Sequence, residues 1–386
     1  MFSIRNEEKH CFDNAQTLLI RGINMTKYLR NTWYVAAEST EVANDDLFAR
    51  RILNEPVVIY RLEDGSPVAL RDRCPHRYLA LSMGKKVGDT VQCGYHGMVF
   101  DKTGSCIEIP TQDTIPETAY TKSYPIVEKY NFLWIWMGDI EKADESLIPD
   151  FSTVTKGSTY DFRTADKHPQ QWGYKYVRGN YQLMVDNLLD LSHVGFVHTS
   201  TLGSEESTRQ HASGEQKQTG RIVSDYRLAV DVESPPAFAM MLPHLKKVDF
   251  WLDMHCSSPC NFLIEFGVTE PGKPREEGGP FTGFHILTPE TEDTCHYYYG
   301  STLQIDGISD EPIKKLGEAA VIAFDEDLVI IEAQQKEIQG GKFDDESMVA
   351  LRADKAALMA RRLLTQLIKE EEDSKEREND AIAKIA

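Results

Sequence analysis

The sequence predicts an α+β protein in two parts, a strand-rich domain over residues 28–145 and a mixed strand-and-helix domain over 146–386. Three observations lead there. A chain of 386 residues is longer than one hydrophobic core supports. From Trp33 to Gly138 the text is short β-favouring runs separated by turn residues. Beyond that the strand-type runs share the chain with long Gly- and Pro-poor stretches of helical spacing.

Taken in order, residues 1–27 are polar and weakly patterned, and read as a disordered extension or as a start codon assigned upstream of Met25. Strands follow at Ile52, Val57-Val58-Ile59-Tyr60 and Val68-Ala69-Leu70, broken by Asn54-Glu55-Pro56 and Glu63-Asp64-Gly65-Ser66. Val91 and Val99-Phe100 continue the pattern, Asp101-Lys102-Thr103-Gly104 is a turn, and Phe132-Leu133-Trp134-Ile135-Trp136 is a last buried strand. Their aromatic residues read as core. A charged stretch ending at Pro149 marks the domain boundary. Residues 180–197 show helical spacing at Leu183, Asn187, Asp190 and Leu191. Strands return at Phe250-Trp251-Leu252, Asn261-Phe262-Leu263-Ile264, Phe284-His285-Ile286-Leu287 and His296-Tyr297-Tyr298-Tyr299, and helices close the chain at 311–338 and 345–384. The charged run Lys369-Glu370-Glu371-Glu372-Asp373 reads as a solvated helix face.

Composition narrows the function. With 42 basic and 61 acidic residues the formal charge is −19, the opposite of the basic footprint that a nucleic-acid binder needs. No run approaches the length of a membrane span, and the first residues lack the apolar core of a secretory signal, so no membrane partner and a cytoplasmic location are expected. Seven cysteines spread over the chain argue against a disulfide scaffold. Cys and His at short spacing then read first as metal ligands.

The strongest such pattern is Cys74-Pro75-His76, sixteen residues, then Cys93-Gly94-Tyr95-His96. Two loops each offer one thiolate and one imidazole. That is the set a Rieske 2Fe–2S centre needs, with two Cys on one iron and two His on the other. A structural zinc site pairs C-x2–4-C with H-x3–5-H, which these mixed pairs do not fit.

The second pattern is Asn187-Leu188-Leu189-Asp190-Leu191-Ser192-His193-Val194-Gly195-Phe196-Val197-His198, or N-x2-D-x2-H-x4-H. On a continuous helix Asn187, Asp190 and His193 share one face, so the Asp190 carboxylate is expected to hold the second ring nitrogen of His193. Gly195 is where the helix is expected to end or distort, so that His198 can meet the same ion. Two His and one carboxylate leave an octahedral face open, the arrangement of non-haem Fe(II) oxygenases. An H-x4-H pair alone is more often two structural histidines; downstream of the first pattern it reads as an iron site. In Phe324-Asp325-Glu326-Asp327-Leu328-Val329-Ile330-Ile331-Glu332 the preferred carboxylate is Asp327, with Asp325 and Glu332 as alternatives and a solvated helix end as the plain reading.

With both patterns in place, the chain resembles the Rieske non-haem iron oxygenases, specifically oxygenase subunits of the vanillate O-demethylase and dicamba monooxygenase group. The stretches that carry the resemblance are Asn31-Thr32-Trp33-Tyr34-Val35-Ala36, Val185 to Leu191, His285-Ile286-Leu287-Thr288-Pro289-Glu290-Thr291-Glu292 and Glu326-Asp327-Leu328. Met98 stands where the family often has Trp. The resemblance implies a first domain of small antiparallel sheets and a catalytic domain whose antiparallel sheet is flanked by helices. It implies a head-to-tail homotrimer in which electrons cross from one subunit's cluster to its neighbour's iron, with Asp190 as the bridging carboxylate and Asp327 on the iron. His285 matches a position that contacts an aromatic acid, although by itself it reads as a strand residue bonded to backbone; Asn261 is a second pocket candidate. Glu318 stands where the dicamba enzyme closes its pocket with Trp, which points away from dicamba itself. The implied activity is O2-dependent hydroxylation or O-demethylation of a small aromatic acid. The chain has neither a strand-borne G-x-G-x-x-G nor a further iron–sulfur cysteine cluster. A separate NAD(P)H-linked reductase, directly or through a ferredoxin, must therefore supply electrons. The alternatives are an electron-carrying Rieske protein and an oxygenase for a non-aromatic compound such as a sterol or alkaloid.

Overall fold

In the computed structural model, residues 27–155, 160–161, 172–201, 205–211, 214–303, 310–338 and 349–385 are described. The extension expected over residues 1–27 lies outside them except for Lys27. The described residues form two compact units: residues 30–149 with Thr288–Thr291, and the remainder from Asp150 onward with residues 27–29.

The N-terminal unit is assembled from three small sheets. Strands β1 (Trp33–Glu38), β2 (Phe48–Ile52), β3 (Glu55–Arg61), β4 (Pro67–Arg71), β5 (Lys85–Val87), β6 (Thr90–Gln92), β7 (Val99–Phe100), β8 (Cys106–Glu108), β9 (Ser123–Tyr124), β10 (Ile126–Lys129) and β11 (Phe132–Trp136) follow one another. They pair in the orders β1-β11-β10, β2-β3-β4-β9 and β5-β6-β7-β8, with antiparallel registers. Each strand-type run read from the sequence falls in one of them, and β11 is buried along its whole length. One apolar cluster joins Val58, Tyr60, Leu70, Leu81, Val91 and Phe100 to Cys74 and Cys93. The two thiols thus stand on the core while their loops reach outward.

The C-terminal unit is built on a larger antiparallel sheet. Its described strands are β12 (Tyr160–Asp161), β13 (Trp172–Val177), β14 (Glu215–Thr219), β15 (Ile222–Glu233), β16 (Lys247–Ser257), β17 (Asn261–Thr269), β18 (Gly279–Pro289) and β19 (Cys295–Leu303). The order is β12-β19-β18-β17-β16-β15-β14, with β13 also paired to β19. Aromatic packing of Phe238, Phe250, Phe266 and Phe281 fills a cluster at one end of the sheet.

Four helices matter to function: α1 (Tyr181–Leu189), α2 (Val194–Val197), α3 (Asp310–Ile338) and α4 (Lys355–Ile385). The α+β class is therefore as the sequence predicts, with two local corrections. The last helix begins at Lys355, after a short turn at Arg352–Asp354; of the helix expected from 345, residues 345–348 lie outside the described ones and 349–351 are not helical. The helix through Asn187 ends at Leu189, before Gly195 is reached.

Candidate metal centres

The two Cys/His loops are built alike. Cys74 donates its N–H to Leu79 and accepts from Tyr78, while Cys93 donates to Met98 and accepts from Gly97. Both loops need a left-handed residue four positions after the cysteine, and Tyr78 (φ 63°) and Gly97 (φ 74°) supply it. Glycine takes that conformation freely, whereas tyrosine is strained there. The Arg73 guanidinium lies 3.7 Å over the Tyr78 ring, a contact that offsets part of the strain.

The loops bring their ligands together in two layers. Cys74 and Cys93 are buried, and His76 and His96 are exposed at the tip. The imidazole Nδ1 atoms face one another at 3.1 Å. Burial, with the neighbouring Cys93 thiol adding to it, pushes the Cys74 thiol up to about 11. Two buried thiols against each other and two Nδ1 atoms converging just outside them fit a 2Fe–2S cluster, whose metal would hold both sulfurs as thiolates. Met98 packs its sulfur 4.0 Å from that of Cys74.

The second centre starts from the end of α1. Asn180 caps that helix by accepting the Gln182 N–H, and Arg361 of α4 clamps Asp186 through Nε at 2.8 Å. At Asp190 the chain leaves helical geometry. The Asp190 carboxylate accepts from the Ser192 N–H at 2.9 Å and hydroxyl at 2.5 Å, the local competition that makes Asp a helix stopper. The sequence-based arrangement is corrected here: the second ring nitrogen of His193 meets the backbone carbonyl of Asp190, not its carboxylate. A new turn starts at His193 and carries α2, with buried Gly195 inside it, and His198 follows at its end.

Helix α3 completes the group. Ala323, Asp327, Ile331 and Gln335 form its buried stripe at four-residue spacing. Asp327 Oδ1 lies 3.4 Å from His193 Nε2 and 3.2 Å from His198 Nε2. The two alternatives point elsewhere: Asp325 pairs with Lys175 at 2.5 Å and Glu332 with Arg178 at 3.9 Å. One ligand atom from each of His193, His198 and Asp327 lies within 4.8 Å of the others.

These residues fit a divalent metal. Although burial opposes it, Asp327 and Glu326 together raise the pKa of His198, so the site attracts positive charge. The Asn187 side chain donates to Asp327 Oδ1 at 3.0 Å, which fixes its amide, and its own Oδ1 is a buried acceptor without a partner among the described residues. Glu326, missed by the sequence reading, holds His198 Nδ1 at 2.8 Å. Such a partner sets the tautomer that leaves Nε2 free to bind. Its only sequence signal is adjacency to Asp327.

The two substrate-site candidates separate. His285 pairs with Phe262 across β17 and β18, and Asn261 with Ile286. Residues that alternate along a strand face opposite ways, so Asn261 lies on the face away from His285. His285 is 7% exposed, stacks edge-on against Phe324 of α3 and bonds Tyr297 through Nδ1 at 2.6 Å. Burial lowers its pKa to about 4, against a smaller opposing pull from Asp327. It is a neutral imidazole on the Asp327 side of the sheet. Glu318 is an exposed partner of Lys314.

Both halves of the chain resemble known proteins. Residues 177–370 match the vanillate O-demethylase oxygenase C-terminal domain, and residues 32–125 the Rieske [2Fe-2S] domain. The iron-sulfur subunit of the toluene-4-sulfonate monooxygenase system of Comamonas testosteroni is 36% identical over 354 residues, 89% of this chain and 98% of that protein. The oxygenase component of dicamba O-demethylase from Stenotrophomonas maltophilia is 33% identical over 349 residues, 88% of this chain and 98% of that protein. A crystal structure of dicamba monooxygenase bound to 3,6-dichlorosalicylic acid matches with a TM-score of 0.77 and 31% identity, over 89% of this chain and 98% of that one.

Proposed function

Because the chain belongs to the Rieske non-haem iron oxygenases with a vanillate O-demethylase-type catalytic domain, we propose that it oxidises a methyl or methoxy carbon of a small aromatic acid, a carboxylate or sulfonate. The protein is the oxygenase component of a monooxygenase that carries a 2Fe–2S cluster and Fe(II) and is fed by a separate reductase. One observation carries the reading of the sites: a Cys/His loop pair and a two-histidine, one-carboxylate triangle stand in the same chain. An electron carrier has no use for the second.

Cys74, Cys93, His76 and His96 would hold the cluster, and His193, His198 and Asp327 the iron. Bound there, the iron supplies O2 activation, and the balance is R–CH3 + O2 + 2e⁻ + 2H⁺ → R–CH2OH + H2O. For an aryl methyl ether the product is a hemiacetal, which collapses to phenol and formaldehyde. Glu326 and the Asp190 carbonyl hold the two imidazoles in orientation. Asn187 holds Asp327, and His285 meets a polar group of the substrate. A neutral His285 donates a hydrogen bond to an oxyanion without needing to be charged.

Electron delivery is read as NAD(P)H-dependent, directly or through a ferredoxin, and the assembly as a homotrimer in the reducing cytoplasm. Asp190 would bridge subunits: Ser192 occupies one carboxylate oxygen, the other has no hydrogen bond among the described residues, and His76 and His96, which it would meet on a neighbour, are exposed. Under that arrangement Asp190→Asn keeps both metals and the trimer but leaves a reduced cluster unable to discharge in single turnover. Near-normal product would reduce Asp190 to a local turn former.

The substrate class is tested by single turnover of chemically reduced protein with O2 and toluene-4-sulfonate, 4-methylbenzoate or methoxybenzoates. The expected results are the benzylic alcohols and, from methoxy compounds, formaldehyde. Failure to oxidise any of them, with turnover of a sterol or alkaloid instead, would overturn it.

A further inference from the structure

The wall of the sheet behind His285 carries a buried phenol. Tyr297, in β19, is fully buried, and its hydroxyl makes one hydrogen bond among the described residues, to His285 Nδ1 at 2.6 Å. The ring lies against Tyr299 and Phe324, so the phenol cannot swing toward solvent. Burial, with Asp327 adding to it, raises the Tyr297 pKa well above its ordinary value, and the hydroxyl stays protonated. A buried O–H needs an acceptor, and leaving it without one costs the desolvation of that group. His285 Nδ1 is the acceptor within reach. A neutral imidazole has one donor and one acceptor nitrogen; with Nδ1 accepting, the ring proton must sit on Nε2. The opposite tautomer would point Nδ1–H at the phenol and strand the phenol proton in an apolar wall.

We propose that Tyr297 is a specificity-determining positioning residue, which locks His285 in the Nε2–H tautomer and so makes it a hydrogen-bond donor matched to an oxyanion of the substrate. This rests on the reading of the substrate as an aromatic carboxylate or sulfonate. It goes beyond it in explaining why an imidazole too buried to carry charge still prefers an acceptor: a group that only donates, such as an ammonium, finds no partner at that position. Tyr297 acts through His285.

Two measurements test it on the full-length holoprotein. The first is the dissociation constant of toluene-4-sulfonate by calorimetry in a double-mutant cycle. Tyr297→Phe frees the tautomer and should weaken binding about tenfold, the range of one buried hydrogen bond to a charged group. His285→Gln places an amide N–H where Nε2–H stood and needs no help from the phenol. Tyr297→Phe in that background should therefore change binding less than about twofold. An equal loss in both backgrounds would show that Tyr297 only packs, and overturn the inference. The second is 15N NMR of the ring nitrogens of His285 in full-length protein with zinc at the mononuclear site and the cluster oxidised. A protonated Nε2 and bare Nδ1 are expected in the wild type, and a protonated Nδ1 would overturn the inference without any ligand. If the NMR gives the expected tautomer and neither sulfonate nor carboxylate binds, the substrate class falls and the tautomer lock stands.

Discussion

Removing Glu326 tests whether the iron site depends on a residue that binds no metal. Its Oε2 lies 2.8 Å from His198 Nδ1, and His198 is buried. Loss of such a partner typically weakens metal binding 10–100-fold. Glu326 is itself 33% exposed, which screens the charge part of the interaction. Glu326→Ala should accordingly weaken Fe(II) binding by about tenfold to thirtyfold, roughly 1.4–2 kcal/mol. Glu326→Gln keeps an acceptor of the same reach and should lose only about threefold, the screened charge component. The assay strips the mononuclear metal with a chelator and retitrates anaerobically with Fe(II), using cluster absorbance as the internal count of protein. Wild-type affinity in Glu326→Ala would refute the argument. So would a Gln variant as weak as the Ala variant, since charge rather than ring orientation would then be the cause.

Three further outcomes follow from the same geometry. Asp327→Ala should lose the mononuclear iron and keep the cluster spectrum, whereas Asp325→Ala, which removes only the exposed pair with Lys175, should retain both; the reverse result, read by iron and acid-labile sulfide per chain, would move the ligand by two positions. Arg361→Leu strands Asp186 beneath α4, and breaking a pair this buried on the arginine side should lower stability by about 2–4 kcal/mol, visible as an earlier unfolding transition, with an unchanged transition counting against the clamp. Gly97→Ala places a Cβ at φ 74° and 3.0 Å from Pro110 Cγ, so sulfide per chain should fall, while Tyr78→Gly, which relieves strain at the matching position of the other loop, should keep the cluster; the opposite pairing of results would refute the matched-loop argument.

The residues that the sequence revealed are those whose partners are near in the chain. C-x-H and C-x2-H put a thiol and an imidazole on one loop whatever surrounds them, and H-x4-H with Gly195 between keeps two imidazoles on one short segment. The wider resemblance rests on these two motifs, and its narrower group on further stretches such as His285 to Glu292; the α+β class followed from runs and breakers that local propensity sets. Where the local argument failed, it failed for a local reason. Helical spacing aligned Asp190 with His193, but an aspartate carboxylate can take the nearby Ser192 N–H and hydroxyl instead, and the helix stopped there.

The rest depended on meetings across long stretches of chain. The sequence preferred Asp327, but what sets it apart from Asp325 and Glu332 is the rotational phase of α3 against α1 and α2, since two residues along a helix turn a side chain to the other face. Glu326 reaches His198 from 128 residues away, and no spacing encodes that. Asn261 and His285 looked equivalent as polar residues in strands. The register of β17 against β18 put them on opposite faces, because the side-chain period of a strand is two and one residue of offset inverts every assignment. Tyr297 was one of three tyrosines in a row, and only the pairing of β19 into the sheet decided which of them faces His285. Ligand types and their local spacing are written in the covalent chain; which side chains orient, neutralise and select is decided by helix phase and sheet register.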